Sequence, residues 1–208
     1  MRTLTKEIQH EMSPAKAIDI LKKGNERFVN NLKSNRNLLQ QVNETSDGQF
    51  PFAVLLSCID SRTSAELIFD QGLGDIFSIR IAGNILNEDI LGSMEFACKV
   101  AGAKAILVLG HTKCGAVKGA CDDVKMGHLT TLFEKLKPAV ASEKTVSENR
   151  NASNSAFVEK VAEQNVHLTQ HLIVEKSSIL KEMVDAGAIS IIGGMYNVET
   201  GVVDFYED

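Results

Sequence analysis

Apolar and polar positions follow two different rhythms along this chain of 208 residues. Short, mainly apolar runs occur at 52–57, 76–81, 105–109 and 189–195. Runs this short and uniform predict strands covered on both faces. Between them, apolar residues recur every three or four positions, as a helix with one buried face requires. Ile18, Leu21, Phe28, Val29 and Leu32 follow the helix start at Ser13-Pro14, and Leu91, Met94, Ala97 and Cys98 recur within 90–101. Further helices are predicted from 115 toward 126, over 129–140, and over 157–186 as one long or broken helix. The polar stretches 30–48 and 142–155 predict loops, the second the more mobile. A turn over Asn197 to Gly201 leads into a last strand at 202–205, which closes a hairpin.

Strands alternating with helices define an α/β fold, a mainly parallel sheet with flanking helices and an antiparallel edge hairpin. One domain over 1–208 is expected, with 1–48 a helical arm and 49–208 the core that carries the chemistry. With 44% apolar and 24% charged residues, the chain can bury one substantial core. The net charge of -5, with Lys and Arg dispersed, argues against a nucleic-acid partner. No window reaches the roughly 18 apolar residues of a membrane span. The polar amino terminus lacks the apolar centre of a signal peptide. Four cysteines at uneven spacing suit thiolate chemistry in a reducing compartment better than disulfides, and a cytoplasmic location is expected.

Two short runs carry the chemistry: Cys58-Ile59-Asp60-Ser61-Arg62 and His111-Thr112-Lys113-Cys114. Each follows a predicted strand, and in open parallel sheets ligands gather beyond the carboxyl ends of strands. Cys58, His111 and Cys114 together offer two thiolates and an imidazole. That is a zinc set with a fourth position open, as in catalytic rather than structural sites. Zinc with these ligands is formally neutral and a weaker Lewis acid than a tris-imidazole ion, whose water titrates near ~7. Activity should therefore favour alkaline conditions. Asp60 could itself close the fourth position. Arg62 can instead hold Asp60 away through a two-pronged ion pair, leaving the carboxylate to accept a hydrogen bond from zinc-bound hydroxide.

With these motifs the chain resembles a β-class carbonic anhydrase over nearly its whole length. The resemblance is carried by 58–62, by Glu66 to Asp75, by Arg80 to Asn84, by Gly110 to Ala116, and by the Gly-Met-Tyr-Asn-Val-Glu-Thr-Gly run ending at Gly201. It implies one zinc per chain on Cys58, His111 and Cys114, an Asp60–Arg62 dyad, and reversible hydration of carbon dioxide to bicarbonate. It also implies that Gln49 and the Gly115 N–H bind substrate oxygen, and that Phe77 and Phe96 line the pocket, Phe96 standing where a tyrosine is usual. The family's unit is a dimer whose interface builds the pocket, often doubled, so a homodimer or homotetramer is implied. Ile59 and Thr63 depart from the family pattern, and Thr63 could add a hydrogen bond near Arg62. Leu55 stands where a bicarbonate-inhibited branch has tryptophan, which favours the branch open at neutral pH.

The remaining candidates read as structural. Cys98 and Cys121 lie on apolar helix faces. His10, His128, His167 and His171 have no partners at ligand spacing, and Gly72 and Gly74 read as turn glycines. Two other functions keep the same residues: hydrolysis of carbon disulfide or carbonyl sulfide, and a non-catalytic zinc module permanently closed by Asp60.

Overall fold

Five strands form one sheet in the order β2-β1-β3-β4-β5, in a computed structural model that describes residues 3–206. The strands are β1 (Ala53–Ser57), β2 (Ile76–Arg80), β3 (Ala105–His111), β4 (Ser190–Tyr196) and β5 (Val203–Phe205). The first four run parallel, and β5 returns antiparallel against β4, as the hairpin pattern predicts. β1 and β3 are central and buried along their whole length, which explains their unbroken apolar sequence. β2 lies at an edge and is only partly covered.

Successive side chains on β1 feed opposite layers. Ala53 and Leu55 face one core with Leu21, Phe69 and Leu107, whereas Val54 and Leu56 face the other with Met94, Ile106 and Ile173. The first layer is closed by α2 (Pro14–Val29), started by Pro14 behind the Ser13 cap. Its inner face is Ala17, Leu21, Gly24 and Asn25. Val29 and Leu32 were expected on that face but lie exposed, because the helix ends at Val29. Gly24 brings α2 against α4 (Ala65–Ile68): a Cβ there would stand 1.9 Å from the Phe69 carbonyl oxygen.

The amino-terminal arm holds more helix than its polar sequence suggests. α1 (Lys6–Glu11) starts at the Thr5 cap, and α3 (Leu38–Glu44) starts at Asn37, whose side chain accepts from the Gln40 N–H. The expected loop 30–48 is thus interrupted by a capped helix. Arg27 and Arg36 pin the arm by converging on the buried Asp70 carboxylate at the end of α4.

The second layer holds α5 (Glu88–Glu95), continued by a π turn over Phe96–Val100, then α9 (Ser155–Lys176) and α10 (Ser178–Asp185). The long predicted helix is therefore broken at Ser177, whose hydroxyl caps α10 by accepting from the Leu180 N–H. α6 (Gly115–Cys121) is shorter than predicted, and the helix expected over 129–140 divides into α7 (Gly127–Glu134) and α8 (Lys137–Ser142). Pro138 sits in the first turn of α8, where its missing N–H costs nothing. The stretch 142–155, expected to be mobile, is tied by Arg150, which donates to the Glu143 carboxylate at 2.8 Å and to the Val140 and Glu143 carbonyls at 2.9 Å.

Candidate metal centre

The pairing of β1 with β3, Ala53 opposite Ala105 through Ser57 opposite Leu109, brings the carboxyl ends of the two central strands together. Cys58 follows β1 directly, His111 is the last residue of β3, and Cys114 stands at the amino cap of α6. Lys113 takes a left-handed backbone conformation (φ 57°), and this turn folds Cys114 back toward His111. All three residues are buried, and their ligand atoms lie within 4.8 Å of one another. Among the described residues, no other group of three or more His, Cys, Asp or Glu side chains converges in this way.

The surroundings of these atoms suit a divalent, thiophilic ion. His111 Nδ1 lies 2.8 Å from the Thr112 carbonyl oxygen, so Nδ1 is the protonated, donating nitrogen. Nε2 is left with a lone pair. It is buried and finds no hydrogen-bond partner among the described residues. A buried acceptor without a partner is costly, and a metal ion supplies one. Contact with the Cys114 thiol, and beyond it with His111 and the Gly83 N–H, lowers the Cys58 pKa, and the same contact, with burial, raises that of Cys114. Zinc fits this donor set.

Asp60 and Arg62 meet at the edge of the trio. Arg62 Nε donates to Asp60 Oδ1 at 2.9 Å, Nη2 to Oδ2 at 2.7 Å, and the Arg62 backbone N–H to Oδ1 at 3.0 Å. Asp60 Oδ2 lies 4.0 Å from His111 Nε2. The Arg62 guanidinium holds the Asp60 carboxyl far below the usual carboxylate range, so the group is an acceptor throughout neutral pH.

Two further groups fix the loop that carries the pair. The buried Thr63 hydroxyl reaches the Cys58 carbonyl at 3.0 Å and the Asp60 carbonyl at 2.8 Å. Arg80 donates to the same two oxygens, at 3.1 and 2.6 Å. Tyr196, opposite His111 in the β3–β4 register, has a phenol on which burial acts first and the charges of Arg62 and Asp60 act next.

The residues assigned to substrate divide differently. Gly115 opens α6 next to Cys114 and is exposed, with nothing within 4 Å of where a Cβ would point. Phe77 and Phe96 pack edge to face, ring centres 6.3 Å apart, in a groove between β2 and α5 lined also by Ile79 and Ser93. None of Cys58, His111 and Cys114 lines that groove. Gln49 is exposed beside Thr45 and Gly74, again apart from the trio. Sequence reasoning missed one polar residue behind the site, Asn165 of α9. Its signal was an amide within the apolar stripe Val158, Val161, Ala162, Val166 and Ile173.

An open α/β sheet that gathers two thiols and an imidazole at the ends of its central strands defines a class of metal-binding α/β proteins. Within it, residues 53–203 match the model of a single family, described as carbonic anhydrase. Carbonic anhydrase 2 of Mycobacterium tuberculosis is 34% identical over 197 residues, covering 91% of this chain and 91% of that protein. The β-carbonic anhydrase CafA of Aspergillus fumigatus superposes with a TM-score of 0.70 at 26% identity, covering 81% of each chain. One of two tetrameric β-carbonic anhydrases of Sordaria macrospora shares the fold, with a TM-score of 0.71 at 20% identity over 81% of this chain and 90% of that one. The chain belongs to the carbonic anhydrase family, in its β class.

Proposed function

We propose that this chain hydrates carbon dioxide reversibly to bicarbonate and a proton, with zinc held by Cys58, His111 and Cys114. One observation carries the reading: a fully paired Asp60–Arg62 dyad stands against a buried Cys-His-Cys trio, with Asp60 Oδ2 4.0 Å from the unpartnered His111 nitrogen. Bound there, zinc would supply the Lewis acidity that makes water a nucleophile.

The protein's own residues do the rest. Arg62 engages both carboxylate oxygens, which restrains Asp60 from closing on the trio as a fourth ligand. Held so, Asp60 accepts a hydrogen bond from the attacking oxygen and turns its lone pair toward carbon dioxide. The Gly115 N–H and the Gln49 amide would bind the oxygens of the forming bicarbonate. The Phe77 and Phe96 rings would give an apolar wall suited to a small apolar substrate.

Gln49, Phe77 and Phe96 stand apart from the trio within one chain, and Phe96 is 54% exposed. Ile59, Leu67 and Leu73 are exposed apolar residues on the same stretch of chain. This supports a homodimer or homotetramer in which a second copy helps complete the pocket, residues 49–208 forming the zinc-binding core and 1–48 the arm. Four free cysteines support a reducing compartment such as the cytoplasm. Among the described residues no helix is long and apolar enough to cross a membrane.

Zinc content and stopped-flow hydration between about pH 6.5 and 9 test the proposal together. One zinc per chain with hydration is the expected result. One zinc per chain without hydration at any pH overturns it.

A further inference from the structure

A line of two hydrogen bonds runs from the middle of α9 to one sulfur of the trio. The Asn165 side chain, 5% exposed, donates from Nδ2 to the Gly83 carbonyl at 2.9 Å. The Gly83 backbone N–H in turn donates to Cys58 Sγ at 3.3 Å. Gly83 sits in the short turn Ala82–Asn84 with φ 69°, a conformation that strains most other residue types. A Cβ at Gly83 would stand 2.9 Å from the Leu136 side chain and 3.3 Å from that of Ala116. The turn is thus wedged against Leu136 on one side and tied to Asn165 by its carbonyl.

Asn165 occupies an otherwise apolar stripe, where an amide is costly unless it is bonded. The partner it finds lies 82 residues away in sequence, on a residue whose N–H donates to the Cys58 sulfur. A donor aimed at a thiolate draws charge from it, so the sulfur gives less to a bound cation and the cation stays a stronger Lewis acid. Groups behind the ligands commonly alter metal affinity about 10–100-fold.

We propose that Asn165 is a positioning residue of the metal centre: by fixing the Gly83 peptide it keeps an N–H on Cys58 Sγ and sets how strongly that sulfur donates to the ion. The inference rests on Cys58 being a zinc ligand, as proposed above.

The test compares wild type with Asn165→Ala, and with Ile173→Val as a core truncation on the same helix remote from Gly83. Each is loaded with cobalt for its thiolate-to-metal charge-transfer band, and with zinc for the rate of metal transfer to a chelator. Asn165→Ala is expected to move the band to longer wavelength and to slow zinc transfer about 10-fold, with Ile173→Val unchanged in both. A separate measurement needs no variant: in cadmium-113-loaded wild type, the Gly83 amide proton should show scalar coupling to the metal across the N–H···S bond. An unshifted band and unchanged transfer rate in Asn165→Ala, equal shifts in Ile173→Val, or absent Gly83 coupling overturns the inference while leaving the proposed function standing. A wild type that takes up no zinc overturns both.

Discussion

Arg62 grips Asp60 through both of its carboxylate oxygens, Nε on Oδ1 and Nη2 on Oδ2, two residues along the same loop. A chelate within so short a segment needs a sharply bent backbone, and the Arg62 N–H completes the bend by also donating to Oδ1. Asp60→Asn keeps the shape but replaces one acceptor oxygen with a donor. Zinc content should stay at one per chain while hydration falls on the order of 10²-fold or more, the scale of losing one aligned polar group at a reacting centre. Metal analysis beside stopped-flow kinetics checks this; full activity would remove Asp60 from the chemistry.

Removal of the metal should be felt by the fold, because the trio joins the carboxyl ends of β1 and β3 to the start of α6. An ion that binds only the folded chain stabilises it by mass action, about 2.7 kcal/mol at 100 times its dissociation constant. Dialysis against a chelator should lower the melting temperature, and added zinc should restore it. Calorimetry of the two forms decides the matter. A Cys114→Ala chain should melt at the same temperature with and without zinc.

The Thr63 hydroxyl bridges the carbonyls of Cys58 and Asp60, and Arg80 holds the same two oxygens. Thr63→Val keeps the volume and deletes the bond, at about 1 kcal/mol of stability. Hydration should fall several-fold through kcat with KM little changed, and Thr63→Ser should restore it. Equal kinetics for the valine and wild-type chains would show that Arg80 alone suffices.

Acid should release the arm before it reaches the core. Burial raises the Asp70 pKa, but Arg27, Arg36 and Ser34 outweigh it, and the folded value is held down at about 2. The contribution is present above the ordinary aspartate value near ~3.9 and is lost as pH falls toward the folded value. Asp70→Asn should remove that pH dependence and cost about 3–5 kcal/mol, since it removes the buried carboxylate on which two guanidinium groups converge. Asparagine tolerates the left-handed backbone at this position (φ 45°), so the loss would report the charge alone. Urea melts of both chains between pH 2 and 5 measure it.

The convergence of Cys58, His111 and Cys114 and the pairing of Asp60 with Arg62 were legible because each signal is local. Cys58 follows one short apolar strand and His111 ends another, and Arg62 can reach Asp60 without help from the rest of the fold. The parallel sheet was legible for the same reason, its central strands being apolar on both faces. What escaped notice depends on distant contacts or on polar caps. α3 is held by the Asn37 cap within a segment of low apolar content, and the loop over 142–155 is ordered by Arg150 reaching back to Glu143. Asn165 was illegible as a site residue because its partner lies 82 residues away in sequence, although an amide in an apolar stripe marks a place to look.

The trio belongs wholly to one chain and stands on its two innermost strands, away from both sheet edges. An ion held there would be insulated from subunit exchange, whereas the proposed pocket would be shared property. Dilution and chelation should then inactivate the enzyme by separate routes: a dispersed protomer would keep its metal yet lose its substrate wall, and a chelated assembly would keep the wall and lose the ion.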